Sequence, residues 1–269
     1  MLLARGIVSE QRADVDSCVL LVAAADGPRA SAELERYARE NQPLPRAAPP
    51  RLHGLVAATA SAAGYVVVLF LCSVASTRAL LGRDWYAAGM LEGVPLRAGE
   101  AWRAVTALTL HADLAHLAAN AGFGALFGGL AARVYGAGGG WLLIVTAAAL
   151  ANALEGLAMP AGRASLGAST AVFAALGALA VHRWPAVTRR ARAGLAGGSV
   201  VAALVLLALL GTGDAGTDIG AHALGFLCGL LLALPLRRWP TSRARGAQWL
   251  AGGTALSMIV LAWAAALGV

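Results

Sequence analysis

Lysine does not occur in this chain, so all 21 basic residues are arginine. Charge of either sign is scarce: 13% of the 269 residues are charged, about half the share in a soluble domain. With 59% hydrophobic residues and a mean hydropathy of +0.69, that deficit excludes an ordinary soluble domain and points to the membrane class. Cysteine is nearly absent as well. Cys18, Cys72 and Cys228 lie far apart, with no CxxC pair and no even framework, which argues against a disulfide scaffold and a zinc site. Cys228 reads as a small apolar helix residue. The first ten residues hold no long apolar core with a cleavage site, and Glu10, Asp14 and Asp16 argue against an organellar presequence. No removable signal is expected.

The net charge of +7 raises nucleic acid as a partner. The arginines, however, lie between apolar runs rather than on one face or stripe. The bias of basic residues toward the cytoplasmic side of a membrane explains them better, so the expected surroundings are a lipid bilayer and no nucleic acid.

Only residues 1–52 have a soluble composition. Within them the apolar run Ser17 to Ala25 is too short to span a bilayer, and periodicity leaves strand and helix both open. Ala30 to Glu40 reads as a charged surface helix. Pro43, Pro45, Pro49 and Pro50 follow as a stiff linker. Beyond the linker come about seven apolar runs of near membrane-spanning length, roughly 54–76, 107–132, 140–160, 167–184, 193–211, 219–236 and 248–268. The fold class is all-α and polytopic. The segment 78–105, with Trp85, Tyr86 and Trp102, is expected to lie along the interface rather than cross.

Arginines orient the whole. Arg36, Arg39, Arg46 and Arg51 precede the first run, Arg183, Arg189, Arg190 and Arg192 follow the fourth, and Arg237, Arg238, Arg243 and Arg245 follow the sixth. The loop Thr212 to Asp218 has acids and no arginine. Alternation puts the N-terminus in the cytoplasm and the C-terminus outside. Arg78, Arg83, Arg97 and Arg103 run against this pattern, partly offset by Asp84, Glu92 and Glu100.

Polar groups inside such runs are functional candidates. His116 and Asn120 are spaced i, i+4 and share a face of the second run, with His111 near its outer end. Read alone, they are helix-joining hydrogen-bond formers. His222, Gly225 and Gly229 share a face of the sixth run, and Ser169, Phe173 and Gly177 share a face of the fourth. Glycines admit a close neighbour. If the two small faces meet, Ser169 and His222 come within hydrogen-bond reach. A serine hydroxyl needs such a base to act as a nucleophile, and imidazole has a suitable pKa. Ser169 by itself could equally be a packing serine. Asp218 and Thr217 read as a cap for the sixth helix, and His53 and His182 as residues at span ends.

The ordered set Glu100-Ala101-Trp102-Arg103, His111/His116/Asn120, Gly128-Gly129, Gly167-Ala168-Ser169 and Ala221-His222 with Gly225 and Gly229 resembles a rhomboid intramembrane serine protease over roughly residues 54–236. The resemblance implies a six-helix membrane core, 53–237, followed by one extra C-terminal transmembrane helix within 238–269 and preceded by a cytoplasmic segment, 1–52. It implies a Ser169–His222 dyad without the acid of the usual triad. His116, Asn120 and the Ser169 amide would hold the oxyanion, with Gly167, His111, Phe173, Gly225 and Gly229 in support. The serine would lie in a water-filled cavity open to the outer side, capped by a mobile loop after the fifth span. Transmembrane protein substrates, no cofactor, no metal and a multi-pass place in a cell membrane, such as a bacterial inner membrane, follow. No oligomeric state is implied. Two positions depart from the family: Thr170 replaces the usual glycine after the serine, and Phe173 replaces the common tyrosine. The rival readings are an inactive relative that binds or escorts membrane proteins, and a transporter, for which Glu155, late in the third run, is the only clear candidate charge and no inverted repeat is seen.

Overall fold

The computed structural model describes residues 1–13, 18–41, 52–182, 201, 219–237 and 242–269. These fall into two compact units. In the first, strand β1 (Ser9–Ala13) pairs antiparallel with β2 (Cys18–Val22), and helix α1 (Gly27–Glu40) follows. The run that periodicity left open is thus a strand; it is too short for a stable helix and finds a partner in β1. Leu2, Ile7 and Ala30 are buried together with Val22 against them. On α1 exposed charged residues pair along the helix, Arg36 to Glu40 at 3.0 Å and Arg39 to Glu35 at 3.5 Å. The proline linker lies outside the described residues.

The second unit is helical. Helices α2 (Leu55–Thr77), α3 (Trp85–Gly89), α4 (Gly93–Arg97), α5 (Arg103–Thr106), α6 (Leu114–Tyr135), α7 (Ala137–Ala158), α8 (Ser169–Val181), α9 (Ile219–Ala233) and α10 (Arg245–Leu267) follow in order. Among the described residues α2, α6, α7 and α10 are long and apolar enough to cross a membrane, and α8 and α9 are shorter apolar helices. The expected fifth span, 193–211, lies outside the described residues. Helix α8 is buried from Thr170 to Leu179, with α6, α7 and α9 packed on it. Its 13 residues rise only about 20 Å, against a hydrocarbon core of about 30 Å. Gly167, at φ +127°, ends the helix on its N-terminal side in a conformation L side chains rarely adopt.

One helix start differs from the sequence expectation. Helix α6 begins at Leu114 rather than near 107, because the Asp113 carboxylate accepts a hydrogen bond from the His116 amide at 2.7 Å and caps it. Residues Ala107–Thr109 form a separate 3-10 turn, so His111 sits on the loop ahead of the helix and not on the helix. The segment between α2 and α6 is likewise folded into short pieces. Its strand β3 (Leu91–Glu92) pairs antiparallel with β4 (Ala164–Ser165), tying it to the loop just before the serine.

Two arginines that run against the basic bias are engaged inside this segment. Arg103 is buried; it donates to Glu100 at 2.6 Å and to the carbonyls of Met90 at 2.7 Å and Ala87 at 2.9 Å, and lies 3.5 Å from Glu92. Arg97 donates to the carbonyls of Gly156, Leu157 and Met159, each at 3.1 Å. It thereby occupies orphan carbonyls at the C-terminal end of α7. Near α2, burial first and then the charge of Arg243 hold the His53 imidazole below its ordinary range.

Candidate active site

The crossing of α8 and α9 is set by glycines. A Cβ on Gly177 would run into the Phe226 carbonyl, and one on Gly229 into the Ala174 carbonyl. A Cβ on Gly225 would come 2.5 Å from the Thr170 carbonyl and 3.2 Å from its Cγ2. The two small faces therefore meet backbone against backbone, as small residues allow in membrane helices. Thr170 is buried and fits because Gly225 leaves room for its methyl group. Gly229→Ala should cost about 1–3 kcal/mol by overpacking, read as a lower unfolding temperature in detergent; an unchanged temperature would mean that the helices separate freely.

This approach carries His222 to Ser169. His222 Nε2 is 2.8 Å from Ser169 Oγ. With its proton on Nδ1, the ring accepts the serine proton at Nε2. The Phe173 ring stacks on the imidazole, centroids 4.5 Å apart and planes 15° from parallel, and is itself held among Leu176, Phe123, Phe127 and Phe226. The histidine is buried and the serine half-buried. Ser169 is the first residue of α8, where the free amides and the helix dipole favour negative charge.

Beside the serine, three residues of the α6 region converge. A Cβ on Gly167 would come 2.7 Å from His116 Nε2 and 3.6 Å from Asn120 Nδ2, so the glycine lets the loop pass directly over both side chains. The buried Asn120 Nδ2 has no hydrogen-bond partner among the described residues. His111 Nε2 lies 3.5 Å from the Ala168 amide, and its ring meets that of His116 edge-on at 5.2 Å. A family model of the rhomboid domain matches residues 98–239, more than half of the chain. The chain belongs to the rhomboid family. A search of curated proteins finds no match.

The rhomboid match begins after α2 and ends before α10, so both helices lie outside it. Both nonetheless reach the site, through residues that the sequence reading did not single out. The Tyr65 hydroxyl of α2 donates to the Asn120 carbonyl at 2.9 Å. Trp263 of α10 donates to Thr109 at 3.0 Å, in the turn ahead of His111. The Tyr86 hydroxyl donates to the His111 carbonyl at 2.9 Å. A polar-tipped aromatic within an apolar run was the available signal, since such a tip finds a partner when buried. Of the other residues singled out, His53 and His182 lie at helix ends as expected, Glu155 is buried in α7, and Thr217, Asp218 and the loop after the fifth span lie outside the described residues. Cys72 and Cys228 are free thiols.

Proposed function

We propose that this rhomboid protein is an intramembrane serine endopeptidase that cleaves transmembrane segments of other membrane proteins. The observation that carries the reading is the 2.8 Å approach of Ser169 Oγ to His222 Nε2, next to an Asn120 amide with no partner among the described residues. Ser169 attacks the scissile carbonyl carbon while His222 takes the hydroxyl proton, and the same proton goes to the leaving amine. Water, activated by the neutral imidazole, then releases the acyl group from the serine. Phe173 holds the plane of the ring in place of a third triad member. Asn120 Nδ2, His116 and the Ser169 amide donate to the developing oxyanion. Gly167 keeps the three together, and His111 supports the loop. A substrate helix has to open locally before its peptide bond is exposed, so segments with small or helix-breaking residues suit the site.

The catalytic membrane core is 53–237. The segment 1–52 lies on the cytoplasmic side, and the helix within 238–269 is an added span in a multi-pass protein of a cell membrane. Reporters fused after Ala47 and after Val269 should report the cytoplasm and the outer side respectively; both on one side would sink that orientation. The activity is tested with a fluorophosphonate probe on the purified native chain and Ser169→Ala. Labelling of the native chain alone is expected. Equal labelling of both, or of neither, would favour an inactive relative that binds membrane proteins.

A further inference from the structure

We propose that Trp263, on the helix that follows the rhomboid match, is a positioning residue for the site around Ser169; the proposal rests on the endopeptidase reading above. Helix α10 is fastened at both ends. Near its start, Gln248 Oε1 accepts from the amides of Gly138 at 2.9 Å and Gly139 at 3.0 Å, filling orphan donors at the N-terminus of α7. Its Nε2 donates to the Ser242 carbonyl at 2.7 Å. Near the other end, the buried Trp263 ring packs on Trp85, centroids 4.4 Å apart. It also fills the space over Gly89 so closely that a Cβ there would overlap it. Leu110 and Ala75 belong to the same buried cluster, with Cys72 against it.

The indole N–H is what makes this more than a packing anchor. It donates to Thr109 Oγ1 at 3.0 Å in a buried position, while that hydroxyl donates to the Thr106 carbonyl at 2.8 Å. Trp263 thus holds the turn Ala107–Thr109 by its last residue. The same turn and the residue after Leu110 hold the loop that leads into the serine. The Ala107 carbonyl accepts from the Gly167 amide at 2.9 Å, and His111 Nε2 receives the Ala168 amide. Gly167 and Ala168 immediately precede Ser169. The contacts therefore run from Trp263 through Thr109 to Ala107 and His111, and from these to the two residues before the nucleophile. A shift of that turn moves Ser169 and its amide relative to Asn120 and His222. Catalytic donors are sensitive to such displacements, because they act at the position of the oxyanion and not of the ground-state carbonyl.

Turnover of a fluorogenic transmembrane peptide and fluorophosphonate labelling are measured on the full chain in detergent. Trp263→Phe keeps a ring and removes the donor. It should lower kcat and the labelling rate together by about tenfold, as for one lost hydrogen bond, with KM held within about twofold. Thr109→Val removes the same indole bond, and the hydroxyl's own bond to Thr106 with it, so it should lower kcat at least as much, and the double variant should lose little beyond Thr109→Val alone; Thr109→Val also covers the case that Trp263→Phe does not fold. Gln248→Ala releases the far end of α10 and should lower the unfolding temperature with kcat unchanged. If Trp263→Phe and Thr109→Val behave like Gln248→Ala, Trp263 is only an anchor and the proposal is overturned. If the native chain neither labels nor cleaves, the endopeptidase reading falls, and the tether is read instead from ¹⁵N-histidine resonances. Trp263→Phe should then move the His111 ring signals and leave those of His53 in place; unmoved His111 signals overturn the proposal.

Discussion

His222→Ala should reduce cleavage of a transmembrane peptide as deeply as Ser169→Ala does, and the double variant should lose no further activity. The expected loss is on the order of 10⁶-fold in kcat, the scale for removing a serine or its base in a soluble serine protease. The reason is that the two groups act as one. A serine hydroxyl is a weak nucleophile at its own pKa, so Ser169 without a base at 2.8 Å has no route to lose its proton in the attack. His222 without the hydroxyl loses the nucleophile that it would deprotonate. Ser169→Ala removes one oxygen from a helix face already lined by small residues, so the chain should remain folded and membrane-inserted. His222→Ala also takes away the stacking partner of Phe173 and should lower the unfolding temperature in detergent. Comparing kcat at a temperature well below both transitions separates chemistry from stability. Additive losses in the double variant, or undiminished proteolysis by either single one, would sink the dyad.

The second large effect is expected at Asn120. Asn120→Ala should lower kcat by about 10²–10³-fold with little change in KM, as for one oxyanion donor in a soluble serine protease. A carboxamide that donates only to a developing charge contributes to the transition state and not to substrate binding. The side chain suits that role because its Nδ2 is buried and has no partner among the described residues, while the Tyr65 hydroxyl on the Asn120 carbonyl pins the backbone of α6 at that position. His116→Ala should act in the same direction. The two substitutions together should lose less than the sum of their separate effects in kcal/mol, because both donors would serve one oxygen. Normal turnover in both single variants would return His116 and Asn120 to the role of groups that join helices.

Much of the helical frame was legible because its code is periodic. Histidine and glycine at i, i+3 and i+7, or serine and glycine at i and i+8, fall on one side of a helix, and glycine on that side invites a second backbone. Ser169 with Gly177, and His222 with Gly225 and Gly229, were therefore readable as two faces able to meet. Arg97 and Arg103 were readable only as charges that disturbed the basic bias. Their engagement with the α7 carbonyls and with Glu100 depends on how the segment folds back, which no local pattern records. The start of α6 departs from the periodic expectation for a related reason. Ala107 to Leu110 is apolar and continues the hydropathy of the helix, whereas the boundary is set by the single cap at Asp113.

The sequence by itself determined that this is an α-helical membrane protein, which residues line its small faces, and which polar groups are set among apolar neighbours. Those properties follow from composition and helical period, both local. Only the tertiary structure decided that His111 stands on a loop against Ala168, that Leu91 and Glu92 pair with Ser165 and Ala164, and that Trp263 reaches Thr109 across 154 positions. Such contacts join segments whose separation along the chain carries no periodic signal. They arise where buried donors and acceptors must find partners once the helices have packed.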